Sequence, residues 1–398
     1  MLLERFIRYV KIDTQSDDFS ETTPTTKKQF DLLNLLKKEL DDLGVKNELT
    51  KSGRLYAFVP GNKELDAVGV NAHVDTAPDF SGKNVNPQII EKYDGKTIIL
   101  GKSGRFLDPN EYKELQGFVG KTLVTTDGTT LLGGDDKAGL TIIMETLENV
   151  LKLDPKDRRP MYILFTPDEE VGRGAEELDK EKFKAKFAYT FDGSTPSVIN
   201  IENFNAKSAF VDVTGKAIHS GYAKGIMINA SRVLHEFIEM LPKDAIPEKT
   251  EGYEGFNHLD FMSGNVEKAK AGFLLRNHDK IKLEKQAQLF LDIGEKLQKK
   301  YPGAKIEVTI KDSYPNMIEE IKKHPEAKNH IENVYKKLGL KLEYKPIRGG
   351  TDGATFSSKG CPCPNLGTGS YNHHGPYEYV VLEEMELLVK IGTEIFKK

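Results

Sequence analysis

The 398-residue chain predicts an α/β body with a mixed, largely parallel central sheet flanked by helices, plus an inserted ferredoxin-like α+β domain. Three observations predict it. Over the first half, helices alternate with short apolar strands, the layout of helices packed on a sheet. After about residue 203 the order becomes strand, helix, strand, strand, helix, strand, which is the split βαβ plan. After residue 316 the first style returns, so residues 1–205 and 314–398 read as one discontinuous domain and residues 206–313 as an insertion. A length about two and a half times a 150-residue domain suits two cores rather than one.

Taken in order, the N-terminal Leu2, Leu3, Phe6, Ile7 and Val10 fall at helical spacing with charges between them. That stretch lacks the uninterrupted apolar run of a signal peptide, and no segment offers the roughly 20 apolar residues of a spanning helix. Residues 28–44 form an amphipathic helical pattern closing at Gly44. Strand-like pieces follow near 56–59 and 67–74. KTLVTTDGTTLL, residues 121–132, reads as a hairpin around its Asp-Gly turn. GLTIIMETLENVLKL is helical, and MYILFT and FAYTFD are buried-strand runs. Within the insertion, AKSAFVDVTG, HLDFMSGNV, KAKAGFLLRNHD and AKIEVTIKDS are strands, and INASRVLHEFIEML and KLEKQAQLFLDIGEKLQKKY are helices. Two more helices lie near 325–338 and 382–396.

Composition narrows the function. Lys and Arg total 57 against 61 Asp and Glu, a net charge of -4, so no basic field exists to hold a nucleic acid or an anionic membrane. With 38% hydrophobic and 30% charged residues the chain has the make-up of a soluble globular protein. Its two cysteines, Cys361 and Cys363, are too close together to staple a secreted fold, so a reducing cytoplasm is expected. In the proline-rich turn CPCP they read as structural.

Five segments carry chemistry. In NAHVDT, His73 and Asp75 are two residues apart on a strand, so both side chains share a face. They form either a metal ligand with its orienting carboxylate or a structural pair. LLGGDDKAG sets Asp135 and Asp136 between a glycine turn and a helix, where one aspartate suits an N-cap. Two crowded carboxylates there call for a compensating cation. FTPDEEVGRGA puts Asp168, Glu169 and Glu170 at a strand end, where α/β proteins place ligand crevices. FAYTFDGS delivers Asp192 in the same way, and YNHHGPYE supplies His373, His374 and Glu378. Together the strand ends with His73 and Asp75, Glu169 and Glu170, and Asp192, plus a histidine near the C-terminus, supply a mixed nitrogen and oxygen donor set suited to zinc, cobalt or manganese rather than calcium.

On HVDT, DDKAG and DEEVG the chain resembles the dinuclear zinc peptidase superfamily that includes aminoacylase, glutamate carboxypeptidase and bacterial dipeptidases. SGKNVNPQII, TEGYEGF and PIRGGTDGA point within it to the tripeptide aminopeptidase branch. The chain differs from the superfamily pattern at Ser194 and Ser220, neither of which is a ligand position. The resemblance implies a catalytic domain binding two Zn2+ per chain, with Co2+ or Mn2+ as substitutes. It implies that His73, Asp135 and Asp192 hold one ion and Asp135, Glu170 and His374 the other. It assigns Asp75 to orient His73 and Glu169 to act as general base for a water shared by the metals. A tripeptide is the implied substrate, cleaved at its N-terminal peptide bond. His219 would assist the carbonyl oxygen, and Arg276 and Arg348 would hold the substrate carboxylate. A dipeptidase, a carboxypeptidase or an N-acyl amino acid hydrolase would need the same metals and is the rival expectation. Some relatives dimerise through the inserted domain, which makes a homodimer an expected assembly. Hinges are expected near 203–207 and 312–316.

Overall fold

The computed structural model describes residues 2–398. It divides into two compact units, Met1–Ile201 with Met317–Lys345 and Thr351–Lys398, and Glu202–Asn316 with Pro346–Gly350.

The first unit is built on an eight-stranded sheet. Its order runs Lys46–Leu49, Leu55–Val59, Met161–Thr166, Val68–His73, Phe187–Gly193, Asn365–Gly367, Val198–Asn200 and Glu343–Tyr344. The three central strands, Met161–Thr166, Val68–His73 and Phe187–Gly193, are parallel, and His73 pairs with Thr166 at their shared C-terminal end. The outer pairings mix parallel with antiparallel, so the sheet is mixed and largely parallel as expected. Val68–His73 is buried at every residue, as a central parallel strand covered on both faces is, and its polar Asn71 and His73 are buried with the rest. The helices Leu2–Val10, Gln29–Asp42, Gly134–Leu151 and Leu382–Phe396 bury Phe6, Leu36, Ile143 and Leu388 respectively. Gln29–Asp42 stops where Gly44 adopts a φ of 70°, a conformation a side chain disfavours.

One expectation fails. The Asp127-Gly128 turn forms, with Gly128 at φ 81°, but no hairpin follows it. Leu123–Thr125 pairs instead with Tyr379–Val381 and Gln88–Ile90, in a second sheet of order Ser370–Tyr371, Tyr379–Val381, Leu123–Thr125, Gln88–Ile90. The residues after the turn run on to the helix start because Glu378 captures their backbone N–H groups. A local turn signal has lost to remote partners.

The second unit is a four-stranded antiparallel sheet of order Phe256–Gly264, Lys268–Asn277, Asn205–Thr214, Lys305–Asp312. The helices Ala230–Glu239 and Lys280–Lys300 pack on it through Phe237 and Phe290. Strand and helix order is that of the ferredoxin-like plan. The unit also takes in Pro346–Gly350, which lies within the 314–398 segment expected to belong to the catalytic domain. Arg348 supplies the physical reason, donating to the carbonyls of Thr250, Gly252 and Glu254 and lying over the rings of Phe204 and Phe256. Among the described residues, no helix is long and apolar enough to cross a membrane.

Candidate metal centre

Parallel pairing lines up the C-terminal ends of three strands, and each end delivers a charged side chain. Val68–His73 ends on His73, Met161–Thr166 leads into Asp168, Glu169 and Glu170, and Phe187–Gly193 carries Asp192. Asp135 enters from the turn that opens the Gly134–Leu151 helix, and its peptide bond to Asp136 is cis. His373 and His374 come from the loop between Ser370–Tyr371 and Tyr379–Val381. His374 has a φ of 64°, a left-handed conformation uncommon outside glycine and found where surrounding structure imposes it.

These side chains converge. His73 Nε2 lies 3.0 Å from Asp135 Oδ1 and 3.7 Å from Asp192 Oδ1. His374 Nε2 lies 3.0 Å from Glu170 Oε2 and 3.5 Å from Asp135 Oδ2, and His373 Nδ1 is 3.3 Å from that same Asp135 oxygen. One group of donor atoms, from His73, Asp135 and Glu170, falls within 4.8 Å, as does a second from His73, Asp136 and Asp192. Asp135 thus reaches both histidine sets with different oxygens.

The two adjacent aspartates have separate tasks. Asp136 accepts N–H bonds from His73 at 3.2 Å and Gly139 at 3.1 Å, so it caps the helix and steadies the strand end. Asp75 is fully buried. Its Oδ1 is 3.3 Å from His73 Nδ1 and accepts from the Glu169 N–H at 3.0 Å, while Oδ2 accepts from Glu170 N–H at 3.2 Å. The expected same-face pair is present, together with a contact to the acidic loop that its spacing could not show.

Electrostatics mark the cluster as short of positive charge. Burial pushes the carboxyl of Glu169 well above the usual range, and Asp192 adds to the push. Burial and the nearby Asp135 raise Glu170 to about 7. Asp136 is also raised well above normal, by burial first. Burial opposes charge on His73, yet its bonds to Asp135, Asp192 and Asp75 outweigh that and raise it strongly. His374 is raised to about 11 by Asp135 and Glu170. Burial pushes Asp135 up, but His373, His374 and His73 hold it well below the normal range.

Buried carboxylates therefore compete for three imidazoles, and Glu170 Oε1 and His373 Nε2 are buried without a hydrogen-bond partner. Cations would balance the excess of carboxylate and take up the unused Glu170 oxygen, so the residues fit a metal pair built on imidazole and carboxylate donors.

Three further carboxylates support the site, though their sequence context does not mark them as part of it. Asp168 accepts from the Thr25 N–H, the Thr25 hydroxyl and Gln29 Nε2, fixing the turn that presents Glu169 and Glu170. Asp352 accepts from the Thr166 hydroxyl and the Ala175 N–H, at the other side of that turn. Glu378 accepts three backbone N–H bonds from residues 132–135. Burial pushes the Glu378 carboxyl upward, while His373 and those N–H groups favour its charged form. The acids themselves stand in DEE, GGTDGA and HHGPYE.

The expected substrate residues all lie in the second unit and are split. Arg276 pairs across the sheet with Ala206, at one end of Asn205–Thr214, whereas His219 follows the other end. Arg276 lies over the Tyr314 ring and commits Nη1 to the carbonyls of Lys207 and Leu275. Arg348 commits both Nη atoms to residues 250–254. His219 is exposed, its Nδ1 accepting from the Gly221 N–H.

A two-domain α/β architecture whose strand ends gather histidines and carboxylates defines a metallopeptidase-type body, and comparison with known proteins agrees. The sequence model of Peptidase family M20/M25/M40 matches residues 126–398, and the chain belongs to that family. Among curated relatives it is 46% identical over 397 residues to peptidase T of Clostridium perfringens, covering 99% of this chain and 98% of the relative. Peptidase T of Staphylococcus carnosus is 45% identical over 392 residues, covering 98% and 96%. The fold is similar to that of aminopeptidase PepT from Bacillus cereus, with a TM-score of 0.76 at 20% identity over 99% of this chain and 96% of that one. A tripeptidase from Staphylococcus aureus gives 0.76 at 22% identity, covering 100% and 97%.

Proposed function

We propose that the chain is a tripeptide aminopeptidase of the peptidase T kind, dependent on two zinc ions, with Co2+ or Mn2+ able to substitute. The carrying observation is the convergence of His73, Asp135, Glu170, Asp192 and His374 on one another, with the neighbouring Glu169 tied by its N–H to Asp75. These five would hold the ions, with Asp135 shared. When bound, the ions supply Lewis acidity, acidifying water and polarising the scissile carbonyl.

The chain's own residues do the rest. Asp75 holds the His73 ring through Nδ1, leaving Nε2 as the ligand atom, and tethers the backbone of Glu169 and Glu170. Glu169 takes the proton of the attacking water and returns it to the leaving amine as the C–N bond breaks. Arg276 keeps Nη2 and Nε for a planar substrate carboxylate, the geometry a guanidinium fork recognises. Arg348 serves that anchor by stapling the neighbouring 250–254 loop, and His219 offers Nε2 to the carbonyl oxygen.

Free thiols at Cys361 and Cys363 suit a cytoplasmic enzyme. Two copies would dimerise through the second unit, which sedimentation velocity would detect. The function itself is tested by loading the protein with zinc, cobalt or manganese and presenting di-, tri- and tetrapeptides with free or blocked termini. Release of the N-terminal residue from free tripeptides is expected. Faster cleavage of dipeptides or N-acyl amino acids, or release of the C-terminal residue, would assign the chain to a different amide hydrolase.

A further inference from the structure

Glu378 is 1% exposed and touches none of the five proposed ligands' donor atoms, yet its carboxylate is fully used. Oε2 accepts N–H bonds from Leu132 at 2.8 Å and Gly133 at 2.7 Å, and Oε1 accepts from Asp135 at 2.9 Å. The glycines make the wrap possible. Gly133 has a φ of 80°, and a Cβ on Gly134 would stand 2.5 Å from Ser370 Oγ and 3.1 Å from Glu378 Oε1. Glu378 is itself anchored, since it directly precedes Tyr379–Val381, which pairs with both Leu123–Thr125 and Ser370–Tyr371. The loop closed by that last pairing carries His373 and His374.

Resting on the reading that Asp135 bridges two ions, we propose that Glu378 is a positioning residue for that bridge, locking the 132–135 turn to the His374 loop so that both ligand sets are presented together. Only a carboxylate can do this. Three donors converge on two acceptor oxygens, whereas a carboxamide has one acceptor oxygen and would point its NH2 at an N–H donor.

Full-length Glu378→Gln, stripped by a chelator and titrated with Mn2+, is expected to bind at least tenfold more weakly than wild type, in keeping with the roughly 10–100-fold cost of losing a residue that orients ligands. Its electron paramagnetic resonance should lose the signature of neighbouring ions. Leu147→Ala is the comparator. Leu147 is fully buried in the same helix, roughly 18 Å along the axis from Asp135, and its loss should lower the melting temperature without weakening Mn2+ binding. Wild-type affinity and spectrum in Glu378→Gln would overturn the role of Glu378, as would equal weakening by Leu147→Ala, which would reduce the effect to stability. A wild-type chain that takes up a single ion would overturn the bridging reading instead.

Discussion

In the second unit, the buried cluster that includes Val211, Phe237, Phe273, Phe290 and Leu297 is apolar throughout. In the first, the ends of the central strands and the start of the Gly134–Leu151 helix bury His73, Asp75, Asp136 and Asp168. The difference is one of directionality. An apolar core is held by area and packing, so it accepts changes that preserve volume. A buried charged cluster is held by hydrogen bonds and charge balance, so each member depends on particular partners. Chemistry in this protein is concentrated where burial is least favourable to it, and the apolar cluster carries none.

The sharpest way to break that contrast is at Glu169. Glu169→Gln should lower kcat by about 10²–10⁴-fold, the usual contribution of a general base, while calorimetry still counts two ions per chain. A variant with near-normal turnover would remove Glu169 from the chemistry. Next comes the apolar cluster. Phe290 packs edge-on against Phe273 at 5.0 Å and tilted against Phe237 at 5.7 Å, so Phe290→Ala should cost about 3–5 kcal/mol in urea unfolding. Ion uptake should persist in the variant at low urea; its disappearance would mean that the apolar and charged regions do not hold independently. The smallest effect is expected at Arg276. Arg276→Ala should raise KM for free tripeptides roughly 10- to 100-fold, matching the about 1.5–3 kcal/mol of a hydrogen bond to a charged group, and leave C-terminally amidated peptides unchanged. Equal effects on both substrates would give the arginine a packing role over Tyr314.

Much of this was legible in residues alone. His73, Glu170 and Asp192 stand at or just beyond the ends of apolar strand runs, where an α/β layout collects functional groups, whereas Asp135 and His374 lie in turns and are proposed as ligands through the family resemblance. The inserted domain was legible because its strands run to 8–10 residues, long enough for alternation to register. The sheet containing Gln88–Ile90 and Leu123–Thr125 was not, because three-residue strands carry almost no periodic signal. Asp168, Asp352 and Glu378 were visible as acids but not as site residues. Their partners at 25, 175 and 132–135 are more than a hundred residues away, and a hydrogen bond to a distant backbone N–H leaves no local pattern.

The sequence by itself determined the alternation of helices and strands, the insertion, and which residue types stand at the strand ends, because periodicity and turn chemistry act over a few neighbouring residues. Only the tertiary structure decided the division of labour among like residues. It set Asp135 among the histidines and Asp136 on backbone N–H groups, and it bound Arg348 to a loop while leaving part of the Arg276 guanidinium open. Identical side chains become different parts when distant segments meet, since a carboxylate or guanidinium takes its role from whichever donors, acceptors and charges the fold brings within about 3 Å.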